Sequence, residues 1–196
     1  MKMSFKNFSL VIAAMFFAPT LAHAHTGVGA VHGVANGLLH PLTGLDHLCA
    51  MIAVGLWAAQ RGGRALWAVP LTFVCVMTFG AALGMAGIGL PLVETGIIAS
   101  VLILGVLVAA AVRLPLPVSM GIVGLFALCH GHAHGAEMPA TASGFTYGIG
   151  FVAMTVMLHL AGIGLGLAMQ KFGSEKMLRC TGGAVAACGL YLCLAA

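Results

Sequence analysis

The residues best suited to chemistry in this sequence are histidines, which gather in two short clusters. The first cluster runs from His40 to His47 as HPLTGLDH, and the second runs from His130 to Glu137 as HGHAHGAE. Imidazole with carboxylate suits divalent transition metals such as nickel, cobalt, zinc and copper(II) better than magnesium or calcium. The two clusters therefore predict a transition-metal site, although the Irving–Williams order prevents the sequence alone from naming the metal.

In the first cluster, His40 and His47 are seven residues apart and share one helical face if the backbone between them is helical. Pro41 can interrupt that helix. Asp46 precedes His47 and points about 100° away from it on a helix. Asp46 is therefore either a metal ligand itself or a group that orients an imidazole.

In the second cluster, His130 and His134 are four residues apart and Glu137 follows three residues later. One helical face collects these three side chains, whereas His132 points elsewhere. The two glycines of the cluster leave room for an ion or for a neighbouring helix. Of the six cysteines, only Cys49 and Cys129 flank the clusters and could act as auxiliary ligands.

The elements that must position these residues are membrane helices. Hydrophobic residues make up 61% of the chain and charged residues 6%, which excludes a soluble globular domain. The absence of a basic patch in the sequence argues against nucleic-acid binding. We predict an all-α, polytopic fold whose first helix is broken near Pro41. Six spans are expected, at about 30–60, 65–87, 91–112, 115–134, 143–170 and 177–195.

The N-terminus has the pattern of a secretory signal peptide. Lys2 and Lys6 precede the apolar run Phe8–Ala18, and Ala22-His23-Ala24 is a small-x-small cleavage site. The apolar run is shorter than the roughly 20 residues that a membrane span needs. We therefore expect a signal peptide at 1–24 and a single six-helix domain at 25–196.

The basic residues predict the orientation in a bacterial inner membrane. With the mature N-terminus in the periplasm, all the Lys and Arg of the mature chain fall in cytoplasmic connections. Both clusters then lie in the periplasmic half, and His159 lies deeper, near the middle of the fifth span. Because the connections are short, we expect consecutive spans to pack as neighbours. The basic residues are Arg61, Arg64, Arg113, Lys171, Lys176 and Arg179.

Four further residues are weaker candidates for metal ligands. Cleavage would leave His25 with a free amine, which chelates a metal together with its imidazole, unless the new terminus is disordered. His32 could then pass the ion to His40. Glu94 opens the third span from the outer side, and His132 has no assigned role.

The two motifs, in this order and with the signal peptide and six spans, resemble the HupE/UreJ family. These are small bacterial membrane proteins implicated in nickel supply to hydrogenases and ureases, and considered nickel or cobalt permeases. The resemblance covers nearly the whole chain and implies a permease that moves the metal from periplasm to cytoplasm. Carried over by motif, the metal path consists of His40, Asp46, His47, His130, His134 and Glu137.

Two alternatives to a permease are a membrane metalloenzyme and a non-transporting metal-binding accessory or sensor protein. The HExxH zinc-enzyme motif is missing, because no histidine of the second cluster is directly followed by a glutamate. We therefore predict that the protein is not an enzyme. We expect no prosthetic group, only bound or transported Ni2+, with Co2+, Zn2+ and Cu2+ as alternatives. The expected partners are the metal ion and the lipid bilayer, and a homo-oligomer is compatible with the sequence.

Overall fold

The computed structural model describes residues 33–138 and 142–196, and helices are the only regular secondary structure in these ranges. The predicted signal peptide and residues His25 and His32 lie outside the described residues. The seven helices are α1 (Gly33–Thr43), α2 (Leu45–Arg61), α3 (Ala65–Met85), α4 (Val93–Ala109), α5 (Leu116–Glu137), α6 (Ala142–Phe172) and α7 (Glu175–Ala195).

Four helices, α3, α5, α6 and α7, are long and apolar enough to cross a membrane. The pair α1 and α2 passes the same test together and makes a fifth span if it is counted as one. Helix α4 is apolar but has only 17 residues. It is shorter than the predicted 91–112 because Leu92 and Ala111 adopt left-handed φ angles of 58° and 53°, which end a helix. The multi-pass helical architecture is confirmed, and the sixth crossing stays a prediction.

The first span is broken, as predicted, but the break lies at Gly44 rather than at Pro41. Helix α1 continues through Pro41 to Thr43, and α2 starts after Gly44 at an angle of 82°. Gly44 has an extended backbone, with φ −87° and ψ 117°. The hydroxyl of Thr43 donates to the carbonyl of His40 at 2.8 Å, which closes the last turn of α1.

Glycines decide which helices lie side by side. A Cβ at Gly131 or Gly135 of α5 would collide with the backbone of α3, at Met77 and Ala81 respectively. Gly105 of α4 faces α7 in the same way. The most extensive contacts accordingly join α3 with α5, α4 with α7, and α6 with both α1 and α2. The expectation that consecutive spans pack as neighbours holds in part. Helix α2 contacts α3, α4 contacts α5 and α6 contacts α7, but the most extensive pairs are not consecutive, because small residues select them.

Helix α2 is the centre of the bundle, and every residue from Cys49 to Ala59 except the partly buried Ile52 is buried. Its C-terminal end is tied to other helices by side chains that donate to backbone carbonyls. Trp57 donates to Val112, Arg61 to Leu114, and Gln170 of α6 to Ala59. Arg61 and the other five basic residues of 33–196 therefore share one end of the bundle, whereas both histidine clusters lie at the opposite end.

Candidate metal site

Three imidazoles meet at the histidine end of the bundle, around His47. His47 lies in the first turn of α2 and is 3% exposed. Its Nε2 is 3.0 Å from Nδ1 of His130 and 2.9 Å from Nε2 of His134. The rings of His130 and His134 both stand edge-on to that of His47. The break at Gly44 starts α2 at this level, and so it delivers His47 from the first cluster to the two histidines of the second.

The hydrogen bonds around His130 decide which of its nitrogens carries the proton. Ser100 of α4 is fully buried, and its hydroxyl donates to the carbonyl of Ile97 at 2.6 Å. Its Oγ is also 2.9 Å from Nε2 of His130. Because a hydroxyl has one proton, Oγ can only accept from Nε2–H of His130. The Nδ1 atom of His130 therefore presents a lone pair to His47.

Asp46 orients His47 from the opposite side. Its Oδ1 accepts the backbone N–H of His47 at 2.6 Å and lies 3.4 Å from Nδ1 of His47. This contact favours the tautomer with the proton on Nδ1, which leaves a lone pair on Nε2, where His130 and His134 approach. Of the two roles left open by the sequence, the contacts of Asp46 favour orientation of His47.

The result is a set of converging lone pairs. His47 Nε2 can accept one N–H, which His134 can supply, but the contact with His130 Nδ1 then joins two lone pairs at 3.0 Å. Two such atoms repel unless a proton or a metal ion binds to one or both of them. Two nitrogens bound about 2.1 Å from one ion at right angles lie about 3 Å apart, which is close to the observed spacing. The arrangement is chemically suited to a metal ion.

His40 reaches the same site from α1. Its ring centroid lies 4.7 Å from that of His134 and 5.9 Å from that of Tyr147. Phe151 of α6 contacts the rings of His40, His47 and His134 and forms an apolar wall beside them. His40 of α1 and His47 of α2 thus both contact the ring of His134.

His132 and Cys49 make their contacts away from these rings. The Nε2 atom of His132 is 2.7 Å from the carbonyl of Ile88, in the α3–α4 connection, so His132 points elsewhere as expected. Glu137 and Glu94 are exposed at the ends of α5 and α4. Cys49 faces α7, with its Sγ 3.6 Å from that of Cys188.

In 33–138 and 142–196, no three His, Cys, Asp or Glu side chains are already arranged to enclose one metal ion. The three rings converge at one place, but binding an ion with all of them requires the rings to turn. Ser100 is the polar contact of this cluster that the motifs did not reveal. A single serine inside an apolar helix was the only sequence signal for it.

The family described as HupE / UreJ protein matches residues 12–192. The chain belongs to the HupE/UreJ family. This family member is 47% identical over 192 residues to a protein described as "Protein HupE" from Rhizobium leguminosarum bv. viciae, covering 97% of this chain and 98% of that one. No solved structure matches it. HupE/UreJ proteins are transport or accessory membrane proteins rather than enzymes, which agrees with the predicted lack of an enzyme activity.

Proposed function

We propose that this HupE/UreJ protein is a permease that carries nickel, or alternatively cobalt, from the periplasm to the cytoplasm for hydrogenase or urease. The observation that carries the proposal is the approach of His130 Nδ1 and His134 Nε2 to His47 Nε2, at 3.0 and 2.9 Å, because one imidazole nitrogen cannot form a good hydrogen bond with both and the remaining contact is repulsive. A divalent cation relieves this repulsion and uses both nitrogens as ligands. Imidazole ligands of this kind suit Ni2+ and Co2+.

A transported ion must also leave its site. A closed cage of ligands holds an ion too tightly for conduction, whereas sites that bind moderately allow exit. Because no three-ligand cage is preformed in the described residues, dehydration and binding are coupled to ring movement. This favours transport over permanent storage, and it makes the ion a substrate.

The two ends of the bundle support the proposed direction of transport. The six basic residues of 33–196 gather at the end opposite the histidines, and such residues prefer the cytoplasm. The rings around His47 then face the periplasm. We propose that Glu94 and Glu137 attract ions to this side, and that His25 and His32 of the mature N-terminus pass them to His40.

Uptake of labelled Ni2+ into proteoliposomes tests the proposal. We expect His47→Ala to reduce the initial rate at least about tenfold, since it removes the atom shared by the two close contacts. His132→Ala is the matched control, because it removes an imidazole of the same helix whose Nε2 contacts Ile88 instead. Equal rates for the parent and His47→Ala would contradict the proposed path.

The same proteoliposomes distinguish a permease from a metal-binding accessory or sensor protein, and one transported metal from another. Nickel binding by the parent without any uptake would identify a metal-binding accessory or sensor protein. Competition by Co2+, Zn2+ and Cu2+ during uptake determines which metal the protein prefers. Flux in vesicles of one orientation, inside-out against right-side-out, determines the direction.

A further inference from the structure

His159 is a buried imidazole that lies outside the cluster around His47. It is 1% exposed and lies in the middle of α6. In the part of the chain that the structure describes, neither its Nδ1 nor its Nε2 has a hydrogen-bond partner. An imidazole without partners is costly to bury in a protein core, and more so within a membrane. Packing alone does not require a histidine here, because an apolar side chain would fill the space without that cost.

His159 lies on the same helix as a residue that contacts the outer cluster, which consists of the three imidazoles of His47, His130 and His134. Phe151, which contacts the rings of His47 and His134, is eight residues earlier on the same helix. A rise of 1.5 Å per residue places His159 about 12 Å further along α6. Since α6 continues from there to Lys171 at the basic end, His159 lies between the outer cluster and that end.

Phe73 of α3 connects the two levels. It is fully buried, and its ring centroid lies 5.8 Å from that of His130 and 5.1 Å from that of His159. One aromatic side chain therefore separates the outer cluster from the deeper histidine.

Other donor atoms lie on the same faces of α3 and α6. Thr155 is one turn before His159, and its hydroxyl lies 3.9 Å from Sδ of Met77. Met77 is in turn one helical turn after Phe73, and both Thr155 and Met77 are buried. At this level α3 and α6 thus bring together an imidazole, a thioether and a hydroxyl, whose own proton goes to the carbonyl of Phe151.

We propose that His159 is a second, inner binding position for the transported divalent metal ion. An ion released from His130 passes Phe73 and binds a ring nitrogen of His159 before it continues toward the basic end of the bundle. The inference rests on the proposed permease function and adds a residue outside both histidine motifs. It also accounts for the missing partner of the His159 imidazole.

The test separates binding at the outer cluster from passage through the protein. His159→Leu retains a side chain of similar size and removes both nitrogens. We expect Ni2+ uptake by proteoliposomes to fall at least about tenfold, while the Kd for Ni2+ at equilibrium stays within about twofold of the parent. The melting temperature should not fall, because a buried polar group without partners has been removed. Leu158→Met, a buried neighbour on the same helix, is the packing control.

A second variant detects the ion directly. His159→Cys places a thiol at this position. Ni2+ or Co2+ that binds the sulfur displaces the thiol proton to solvent and gives a sulfur-to-metal charge-transfer band in the near ultraviolet. The difference spectrum against the parent subtracts the six native cysteines. The band supports the inner position, and its absence contradicts it. Parent-like uptake by His159→Leu overturns this inference alone, whereas no uptake by the parent itself overturns the permease function.

Discussion

Ser100 Oγ and His130 Nε2 lie 2.9 Å apart, and this contact between α4 and α5 sets the proton of His130 on the side away from His47. The serine hydroxyl donates its proton to the carbonyl of Ile97, so toward the ring of His130 it can act only as an acceptor. Ser100 contacts only the far side of the His130 ring, yet its hydrogen bonds favour the tautomer in which Nδ1 of His130 has a lone pair directed toward His47.

The first prediction concerns Ser100. Ser100→Ala removes the acceptor and lets His130 carry its proton on either nitrogen, so the affinity for Ni2+ should fall about tenfold, as for other groups that orient a ligand. Isothermal titration in detergent measures this Kd. Ser119→Ala is the control, because Ser119 is also fully buried and donates to a carbonyl of its own helix, at Pro115. Equal losses in both variants would argue against the role of Ser100.

The second prediction concerns Asp46. Asp46→Asn retains the shape of the side chain but removes the charge that holds the proton on His47 Nδ1. We expect Ni2+ affinity to fall about 10- to 100-fold. Glu175→Gln changes another acid in the first turn of a helix, at the opposite end of the bundle, and should leave the affinity unchanged. The same titration compares the two, and an unaltered Kd for Asp46→Asn would rule out this role.

The third prediction concerns the glycines that bring α3 and α5 together. In Gly131→Ala the new Cβ meets the backbone of Met77, so the helices must separate at a cost of about 1–3 kcal/mol. This displaces His130 and His134, and both the melting temperature and the Ni2+ affinity should fall. Gly121→Ala on the same helix meets nothing within 4 Å and should be neutral or stabilising. A parent-like melting temperature for Gly131→Ala would contradict the close packing.

The fourth prediction concerns orientation in the membrane. Gly89→Cys and Arg64→Cys each place a thiol at an exposed position, at the histidine end and at the basic end respectively. In right-side-out spheroplasts, a membrane-impermeant maleimide should label the first and spare the second, with the parent as the blank for native cysteines. The opposite pattern would place the histidines in the cytoplasm.

Much of this architecture follows from local properties of the chain. The apolar runs identified α3, α5, α6 and α7, because length and hydropathy along one helix suffice to recognise a span. The spacing along α5 correctly predicted that His130 and His134 share one helical face and that His132 points elsewhere. The ends of α4 could not be predicted from the sequence, because they depend on left-handed φ angles at Leu92 and Ala111, and these residue types rarely adopt such angles.

The sequence by itself determined that this is an apolar, helical membrane protein with two histidine clusters, because composition, hydropathy and spacing along one helix are local properties. Only the tertiary structure decided that Gly44 rather than Pro41 breaks the first span, and that glycine contacts pair α3 with α5 and α4 with α7. It also joined Ser100 to His130 and placed Phe73 between His130 and His159. These relationships link residues far apart in the chain, and they arise from the close approach of whole helices.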